Sequence, residues 1–220
     1  MKVVVADLDR DRAVDAVHEI EAEGGTAFAV QVDITQRSSV QEMMARVDRE
    51  IGPVHALFNN AGISRPGPAC DMPEEVWDLM IDVHVKGTFL CCQAVLPQMC
   101  ERRDGVIVNM SSDYAVVGMI RGAAYAAAKA AIFSLTKSLA QEFAPFAIRV
   151  NALGPGPIDT PLLRAGRTGD DWKSARGELL PMGRIGQPDE VASVLDFLLS
   201  EHASYMTGQI VHPNGGQVMW

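Results

Sequence analysis

Apolar residues are distributed along the chain in a way that predicts alternating strands and helices. Short apolar runs rich in β-branched residues, typical of strands buried on both faces, occur at 3–6, 27–32, 54–58, 106–110, 148–153 and 209–212. Apolar residues recur with helical spacing between these runs, at 13–20, 40–51, 74–100, 123–143 and 189–199. Strands that alternate with helices indicate parallel crossovers, so we predict one α/β domain, residues 1–220, with a doubly wound parallel sheet.

Residues 154–187 depart from this pattern. The segment is long, rich in Gly and Pro, and only weakly periodic. Loops of this length inside a compact domain are usually functional lids or disordered segments. Several apolar residues favour a substrate lid with a packing face over a merely mobile loop: Leu162, Leu163, Trp172, Leu179, Leu180 and Met182.

Composition and charge narrow the classes of partner. The chain has 19 Lys plus Arg against 28 Asp plus Glu, a net charge of -9, which repels nucleic acids and anionic membrane surfaces. No apolar stretch approaches a membrane span, which needs about 18 residues, and the apolar run at the start of the chain is too short for a signal-peptide core. The cysteines lack the paired spacing of a zinc site, so we predict buried thiols, no metal and a reduced, cytoplasmic setting.

Ser112, Tyr125 and Lys129 are the first candidates for chemistry. Tyr125 and Lys129 are four residues apart on one helix face, where an ammonium group lowers the proton affinity of a phenol. A free phenol has a pKa of about 10 and needs such a cation to act as a base near neutrality. The Ser112 hydroxyl is suited to holding a substrate oxygen. Alone, the Tyr–Lys pair is weak, because such pairs are more often merely exposed.

The neighbouring motifs change that assessment. Residues 59–62, Asn-Asn-Ala-Gly, follow a buried strand, Ser112 lies 13 positions before Tyr125, and a Pro155-Gly156 turn follows the strand at 148–153. In this order and spacing, over essentially the whole chain, the sequence resembles the short-chain dehydrogenase/reductase family. The resemblance implies a Rossmann-like fold, a nicotinamide cofactor, and hydride transfer between that cofactor and a small-molecule secondary alcohol or ketone.

The resemblance also implies roles for individual residues. Tyr125 would be the general acid/base and Ser112 would orient the substrate oxygen. Lys129 would lower the pKa of Tyr125 and bind the nicotinamide ribose. Asp33 would lie at the adenine and Thr160 near the nicotinamide carboxamide. All the residues that the resemblance places along the cofactor are Asp33, Asn59, Ala61, Gly62, Pro155, Gly156, Ile158 and Thr160.

Asp7 stands where the family places its cofactor selector, at the carboxyl end of a strand. A carboxylate there accepts hydrogen bonds from the adenosine ribose and repels a 2′-phosphate, which favours NAD over NADP. The alternative is that Asp7 only caps the following helix. We expect the selector role.

His84 departs from the family pattern, which usually has Asn at this position to hold a water on the proton path from the active-site lysine. An imidazole both donates and accepts protons, with an ordinary pKa of about 6.5. The substitution therefore either gives the relay a new pH dependence or breaks it. We expect a retained, altered relay and place His84 among the catalytic residues.

A second departure concerns the start of the sequence. Family members begin with a strand and a Gly-rich turn that binds the cofactor pyrophosphate, and no such motif occurs in residues 1–220. We therefore expect the chain to lack the first βα unit, leaving unpaired edges inside the sheet. Three explanations are open: a start assigned too late, a truncated or spliced form, or a remodelled sheet.

These observations support two functional hypotheses. The first is an NAD-dependent oxidoreductase of secondary alcohols or ketones. The second is a non-catalytic, truncated homologue that acts as an assembly or regulatory subunit. The resemblance also implies a homodimer or homotetramer formed through the helices at 74–100 and 123–143, with the apolar tail 218–220 available for a contact. The residues around the site do not identify the substrate.

Overall fold

Strands and helices alternate along the chain in the computed structural model, which describes residues 1–165, 169 and 171–219. Within these residues the strands are β1 (Lys2–Asp7), β2 (Thr26–Gln31), β3 (Ala56–Asn59), β4 (Gly105–Met110), β5 (Ile148–Leu153) and β6 (Ile210–Val211). The helices are α1 (Arg10–Ala22), α2 (Arg37–Glu50), α3 (Glu74–Ile81), α4 (Gly87–Arg102), α5 (Tyr114–Val117), α6 (Ala123–Phe143), α7 (Pro161–Arg164), α8 (Asp171–Gly177) and α9 (Pro188–Leu199). The predicted α/β, Rossmann-like architecture is confirmed.

All the strand pairings are parallel, but the strands form two ladders. β1 pairs with β2, while β3, β4, β5 and β6 form a second sheet in that order. No ladder joins β1 to β3 within the described part of the chain. The residues of β3 are partly or fully exposed, whereas most of β4 and β5 is buried. β1 and β3 therefore each have one edge without a strand partner among the described residues.

Helix packing, not strand pairing, joins the two sheets. Val40 of α2 packs with Leu90 and Cys91 of α4 in a buried cluster that also contains Val32, just after β2. Ile34, in the same connection, reaches Gly87 at the start of α4, where a Cβ would lie 2.7 Å from the isoleucine Cδ1. This contact fixes the β1–β2 unit against the larger sheet.

The main core covers both faces of the four-stranded sheet. Ile107 and Val150 face α4 and α6, and Val108 and Leu153 face α9; these four strand residues are all 0% exposed. Because both faces are covered, β4 and β5 read in sequence as nearly continuous apolar runs, as parallel strands do. The carboxyl ends of these strands are the rigid base on which the site is built.

Three differences from the sequence predictions appear in and beside the helices. The predicted helix at 74–100 is interrupted by a π-helical turn, Asp82–Lys86. Cys91 and Cys92 are buried as predicted, but Cys70 is exposed and Cys100 is half-buried, so those two predictions were wrong.

The stretch Glu74–Arg102 is long and apolar enough by composition to cross a membrane. Its most apolar window has a mean hydropathy of 1.4, but half of that window is buried in the fold.

The segment 154–187 contains α7 and α8, and residues 166–168 and 170 lie outside the described residues. Leu180 and Ile185 are each 6% exposed, so the segment has apolar side chains packed against the domain. Leu179 and Met182 are 75% and 63% exposed. The predicted packing face is thus formed by only part of the apolar set. Trp220 of the apolar tail is also outside the described residues.

Candidate active site

The loop that follows β4 brings three elements together. Ser111, Ser112 and Asp113 are at most 5% exposed. The Ser111 hydroxyl donates to the Lys129 carbonyl of α6 at 2.9 Å, and the Asp113 amide donates to the Pro155 carbonyl after β5 at 3.2 Å. These bonds hold Ser112 between α6 and the Pro155 turn.

Lys129 extends into this region from α6. Its side chain is buried, and Nζ donates to the Met110 carbonyl at the end of β4 at 2.7 Å. Burial lowers the pKa of Lys129 to about 7, because removing an ammonium group from water disfavours its charged form. Among the described residues this carbonyl is the one hydrogen-bond acceptor of Nζ, so two of its three hydrogens are available to a ligand.

Tyr125 lies one helical turn before Lys129, with its ring centroid 5.7 Å from the lysine Nζ. Burial raises the pKa of Tyr125 to about 12, the Ser112 hydroxyl opposes that rise, and the Asp113 charge adds to it. The geometry agrees with the predicted grouping of Ser112, Tyr125 and Lys129. The predicted lowering of the Tyr125 pKa is not found in this structure, where the phenol is held in its protonated form.

His84 enters the site from the π-helical turn and is 1% exposed. Its ring meets the Tyr125 ring edge-on, with centroids 5.5 Å apart. Nε2 lies 2.9 Å from the Ile63 carbonyl oxygen, and Nδ1 is buried without a hydrogen-bond partner among the described residues. Burial and then the charge of Lys129 lower the pKa of His84 to about 4, so the imidazole is neutral at pH 7.

Asn59 and the residues after it have two different environments. The Asn59 amide donates to the Asn109 side-chain carbonyl at 2.8 Å, and Asn109 in turn donates to the Thr136 hydroxyl at 3.0 Å. These bonds tie β3, β4 and α6 together, so the Asn59 side chain has a structural role. Ala61 and Gly62, which follow β3, are exposed, so a ligand can approach them.

The turn after β5 requires a glycine at position 156. A Cβ on Gly156 would lie 2.8 Å from the Asn214 Cα and 2.9 Å from its carbonyl oxygen, and backbone atoms cannot easily yield. Ile158 packs into the core beside α9 and bridges to Gly186, and the Thr160 hydroxyl accepts from the Leu163 amide at 3.3 Å as the N-cap of α7. Ile158 and Thr160 are therefore structural in this structure, with cofactor contact still a prediction.

Asp7 is the last residue of β1, and Asp33 follows the end of β2 by two residues. Asp7 is exposed and accepts from the Asp9 amide at 2.8 Å, while Asp9 is the residue that caps α1. The alternative that Asp7 caps the helix is therefore wrong. Asp33 accepts from the Thr35 amide and hydroxyl at 2.9 and 2.7 Å, which shapes the turn into α2.

The sequence analysis missed three residues beside the site. Asp113, next to Ser112, is 1% exposed. Tyr114 packs edge-on against Tyr125, and its hydroxyl accepts a hydrogen bond from Arg176 of α8. The adjacency of Asp113 and Tyr114 to Ser112 was a signal available in the sequence. Nothing in the local sequence connects Arg176 to this loop, because the contact depends on how the 154–187 segment folds back.

Known proteins share this arrangement over almost the whole chain. A family model described as enoyl-(acyl carrier protein) reductase matches residues 1–217. The chain is 40% identical over 210 residues to the 3-oxoacyl-[acyl-carrier-protein] reductase FabG of Staphylococcus epidermidis, an alignment that covers 96% of this chain and 85% of that protein.

Solved structures agree. A 3-oxoacyl-[acyl-carrier protein] reductase with bound NAD from Brucella melitensis is 34% identical, with a TM-score of 0.90 over 100% of this chain and 82% of that one. A gluconate 5-dehydrogenase from Burkholderia cenocepacia, in complex with NADP and tartrate, is 29% identical, with a TM-score of 0.91 over 96% and 83% of the two chains. Because these superpositions extend over nearly all of this chain, they give no support to the predicted loss of a first βα unit. The chain belongs to the short-chain dehydrogenase/reductase family of oxidoreductases.

Proposed function

We propose that this protein is an NAD-dependent oxidoreductase that interconverts a small secondary alcohol and its ketone. The observation that carries the proposal is the convergence of Ser112, Tyr125 and Lys129 in one buried region at the carboxyl end of β4. Relatives named for 3-oxoacyl and gluconate substrates support a reaction at a carbonyl or hydroxyl carbon. The alternative of a non-catalytic assembly or regulatory subunit is not favoured by these likenesses.

Tyr125 is the group that exchanges a proton with the substrate oxygen. With its pKa raised to about 12, the phenol is protonated at neutral pH and can donate to an oxygen that gains negative charge. Ser112, on the loop beside it, positions that oxygen. Lys129 acts as the nearby cation, and its own pKa of about 7 makes its charge sensitive to pH in the neutral range.

The residues at one end of the site fit a nicotinamide nucleotide. Lys129 has two buried hydrogens available for ribose hydroxyls. The packing of Gly156 against Asn214 fixes the path of the turn after β5, and Pro155, Gly156, Ile158 and Thr160 on this turn would border the nicotinamide. When bound, the cofactor supplies the hydride acceptor or donor for the reaction. Asn59, Ala61 and Gly62 would border the same cleft.

Asp7 is the residue that we propose selects NAD. Its carboxylate is exposed at the end of β1, where it can accept from ribose hydroxyls and repels a 2′-phosphate. The two solved relatives hold NAD in one case and NADP in the other, so both cofactors occur among proteins with this fold. Asp33, after β2, would border the adenine.

His84 is proposed to relay protons as a neutral imidazole. Its unpartnered Nδ1 lies in the buried region that contains Tyr125 and Lys129. Because its pKa is about 4, a relay through His84 would not use a stable imidazolium near neutrality. A profile of kcat/KM against pH for H84N would move if the relay exists and would stay unchanged if it is broken.

We also propose that residues 154–187 act as the substrate lid and that copies of the chain associate. Arg176 ties α8 to Tyr114 at the edge of the site, which supports a lid.

Three apolar side chains on α3 and α4 support a contact between copies. They are Trp77, Leu79 and Phe89, each 39–42% exposed. The mass of the protein in solution at micromolar concentration tests the association, and a monomer would exclude it.

The central experiment measures binding and turnover separately. We expect saturable binding of NADH at micromolar concentration, followed by fluorescence, and NADH-dependent reduction of a panel of small ketones. If the protein binds NADH but reduces no ketone in the panel, small ketones are not its substrates. Absence of NADH binding at millimolar concentration would contradict the enzyme and support the non-catalytic homologue.

A further inference from the structure

The side chain of Asp113 is buried in the loop after β4, next to Ser112. It is 1% exposed, and Oδ2 has no hydrogen-bond partner among the described residues. An ionised carboxylate without full hydrogen bonding is costly in a protein interior, typically by several kcal/mol. A group of this kind that also touches a catalytic residue is a candidate for control of that residue.

The contact is with Ser112. The Ser112 hydroxyl donates to Asp113 Oδ1 at 3.2 Å, and the Tyr114 amide donates to the Ser112 Oγ at 3.2 Å. A serine hydroxyl has a single hydrogen to donate and two lone pairs that accept. With its hydrogen given to Asp113 and one lone pair taken by Tyr114, Ser112 can only accept from a third group.

Ketone reduction requires the opposite orientation. A carbonyl oxygen has no hydrogen, so Ser112 can position it only by donating. An ionised carboxylate is acceptor-only and holds the Ser112 hydrogen, whereas a protonated carboxyl group can itself donate to Ser112 Oγ and free that hydrogen.

Charged and titratable groups from three elements face Asp113. Tyr114 belongs to α5, Tyr125 to α6 and Arg176 to α8. Burial raises the pKa of Asp113 to about 6, while the hydrogen bond from Ser112 and the charge of Arg176 oppose that rise. Both forms of Asp113 are thus populated within the range in which enzymes are assayed.

We infer that Asp113 is a positioning residue that sets the direction of the Ser112 hydrogen bond, as an acceptor when ionised and as a donor when protonated. The inference rests on the proposed function, since it describes how Ser112 meets the substrate oxygen. It assigns to this chain a control of ketone positioning that Tyr125 and Lys129 do not provide.

The kinetic test follows kcat/KM for ketone reduction between pH 5 and 8. We expect the wild type to lose about tenfold as Asp113 ionises, because one hydrogen bond to the substrate oxygen is lost. D113A should lack this inflection and should exceed the wild type at pH 8. D113N keeps the shape of the side chain without ionising, so it should also lack the inflection. The control D15A removes an exposed carboxylate from α1 and should retain it.

A double-mutant cycle separates action through Ser112 from action at a distance, because the Asp113 charge also raises the pKa of Tyr125. If Asp113 acts through Ser112, the inflection should be absent from S112A, and D113A should change S112A little. Lys129, with a pKa of about 7, contributes its own inflection in this range, so the contribution of Asp113 is the difference between the wild-type and D113N profiles. The same difference between S112A and S112A/D113N, or no difference between the wild type and D113N, would overturn the inference.

A measurement without turnover keeps the inference testable if the proposed function fails. The carboxyl carbon of Asp113 can be titrated by ¹³C NMR in protein labelled at Asp, and assigned with D113N. Loss of the Ser112 donor in S112A should raise the midpoint, because that bond favours the ionised form. An unchanged midpoint in S112A would show that the two side chains are not coupled.

Discussion

The His84 ring packs edge-on against the Tyr125 ring, with centroids 5.5 Å apart and the planes at 87°. This contact joins the π-helical turn to α6 at the point where the proposed chemistry occurs. An imidazole in this position is held neutral by burial, with a pKa of about 4. The contact therefore places a neutral imidazole against the proposed general acid/base.

The neutral His84 predicts a loss of stability in acid. The unfolded chain protonates this histidine at its ordinary pKa of 6.5, whereas the folded chain resists protonation until about pH 4. The unfolded state thus binds more protons between these values, and the free energy of unfolding falls as the pH drops through this window. From pH 8 to pH 5 we expect the loss from this group to be about 2 kcal/mol.

Urea unfolding of the wild type and H84N at both pH values measures this effect. The drop from pH 8 to pH 5 should be smaller in H84N by that amount, whatever the change in its absolute stability. H18N replaces an exposed histidine of α1 and should behave as the wild type. Equal drops in the wild type and H84N would contradict a neutral His84.

Loss of the Tyr125 hydroxyl should remove turnover and leave cofactor binding. General acid–base catalysis typically contributes about 10² to 10⁴ in rate, so kcat of Y125F should fall by a factor in that range. The dissociation constant of NADH should change by less than about threefold, because the loss of one peripheral contact changes the binding free energy little. Stopped-flow reduction and fluorescence titration provide the two measurements.

A matched control for this variant is available in the chain. Tyr205 is fully exposed after α9, so Y205F makes the same chemical change away from the site and should leave kcat unchanged. If Y125F retained wild-type kcat, Tyr125 could not be the general acid/base.

Reversal of the charge at Asp7 should change cofactor preference. D7R removes the carboxylate that accepts from the ribose and adds a cation that attracts a 2′-phosphate. We expect the ratio of kcat/KM for NADH to that for NADPH to fall by at least about tenfold. D15R makes the same charge change on the exposed surface of α1 and should leave the ratio unaltered. An unchanged ratio in D7R would exclude the selector role.

Release of Arg176 should loosen the proposed lid without changing the rate of the chemical step. The guanidinium lies 5.9 Å from the Tyr114 ring centroid and donates to its hydroxyl. R176Q removes both interactions, so we expect KM for the ketone to rise several-fold while kcat changes little. R46Q, which removes an exposed ion pair with Glu50, is the control. A parallel fall in kcat with unchanged KM would assign Arg176 a role in the chemical step instead.

The sequence predicted the alternating elements well because parallel strands covered on both faces leave an apolar signal. β4 and β5 are examples, since their buried side chains form nearly continuous runs. The π-helical turn at Asp82–Lys86 was not predictable in this way, because the apolar spacing runs through 74–100 without a visible break. One turn of π-helix changes the backbone hydrogen bonds from i→i+4 to i→i+5, and the spacing of apolar residues does not reveal so short a change.

Part of the site was likewise accessible from sequence. Ser112, Tyr125 and Lys129 were found from their spacing, and the structure brings them together. The sequence predicted a lowered pKa for Tyr125, whereas burial raises it, because the extent of burial depends on side chains packed from other elements. For the same reason Arg176 could not be connected to Tyr114 from the sequence, since they are 62 residues apart and meet only through the fold of the segment between β5 and α9.

The space beside Gly62 has a consequence for how the chain can change. A Cβ on Gly62 would lie 2.7 Å from Cε1 of His84, closer than real carbon atoms approach, although the backbone at Gly62 does not need a positive φ. The imidazole occupies the volume that alanine would need. The two positions are therefore mutationally coupled: alanine at 62 becomes acceptable only after a smaller residue stands at 84, so one order of substitution is open and the reverse order is closed.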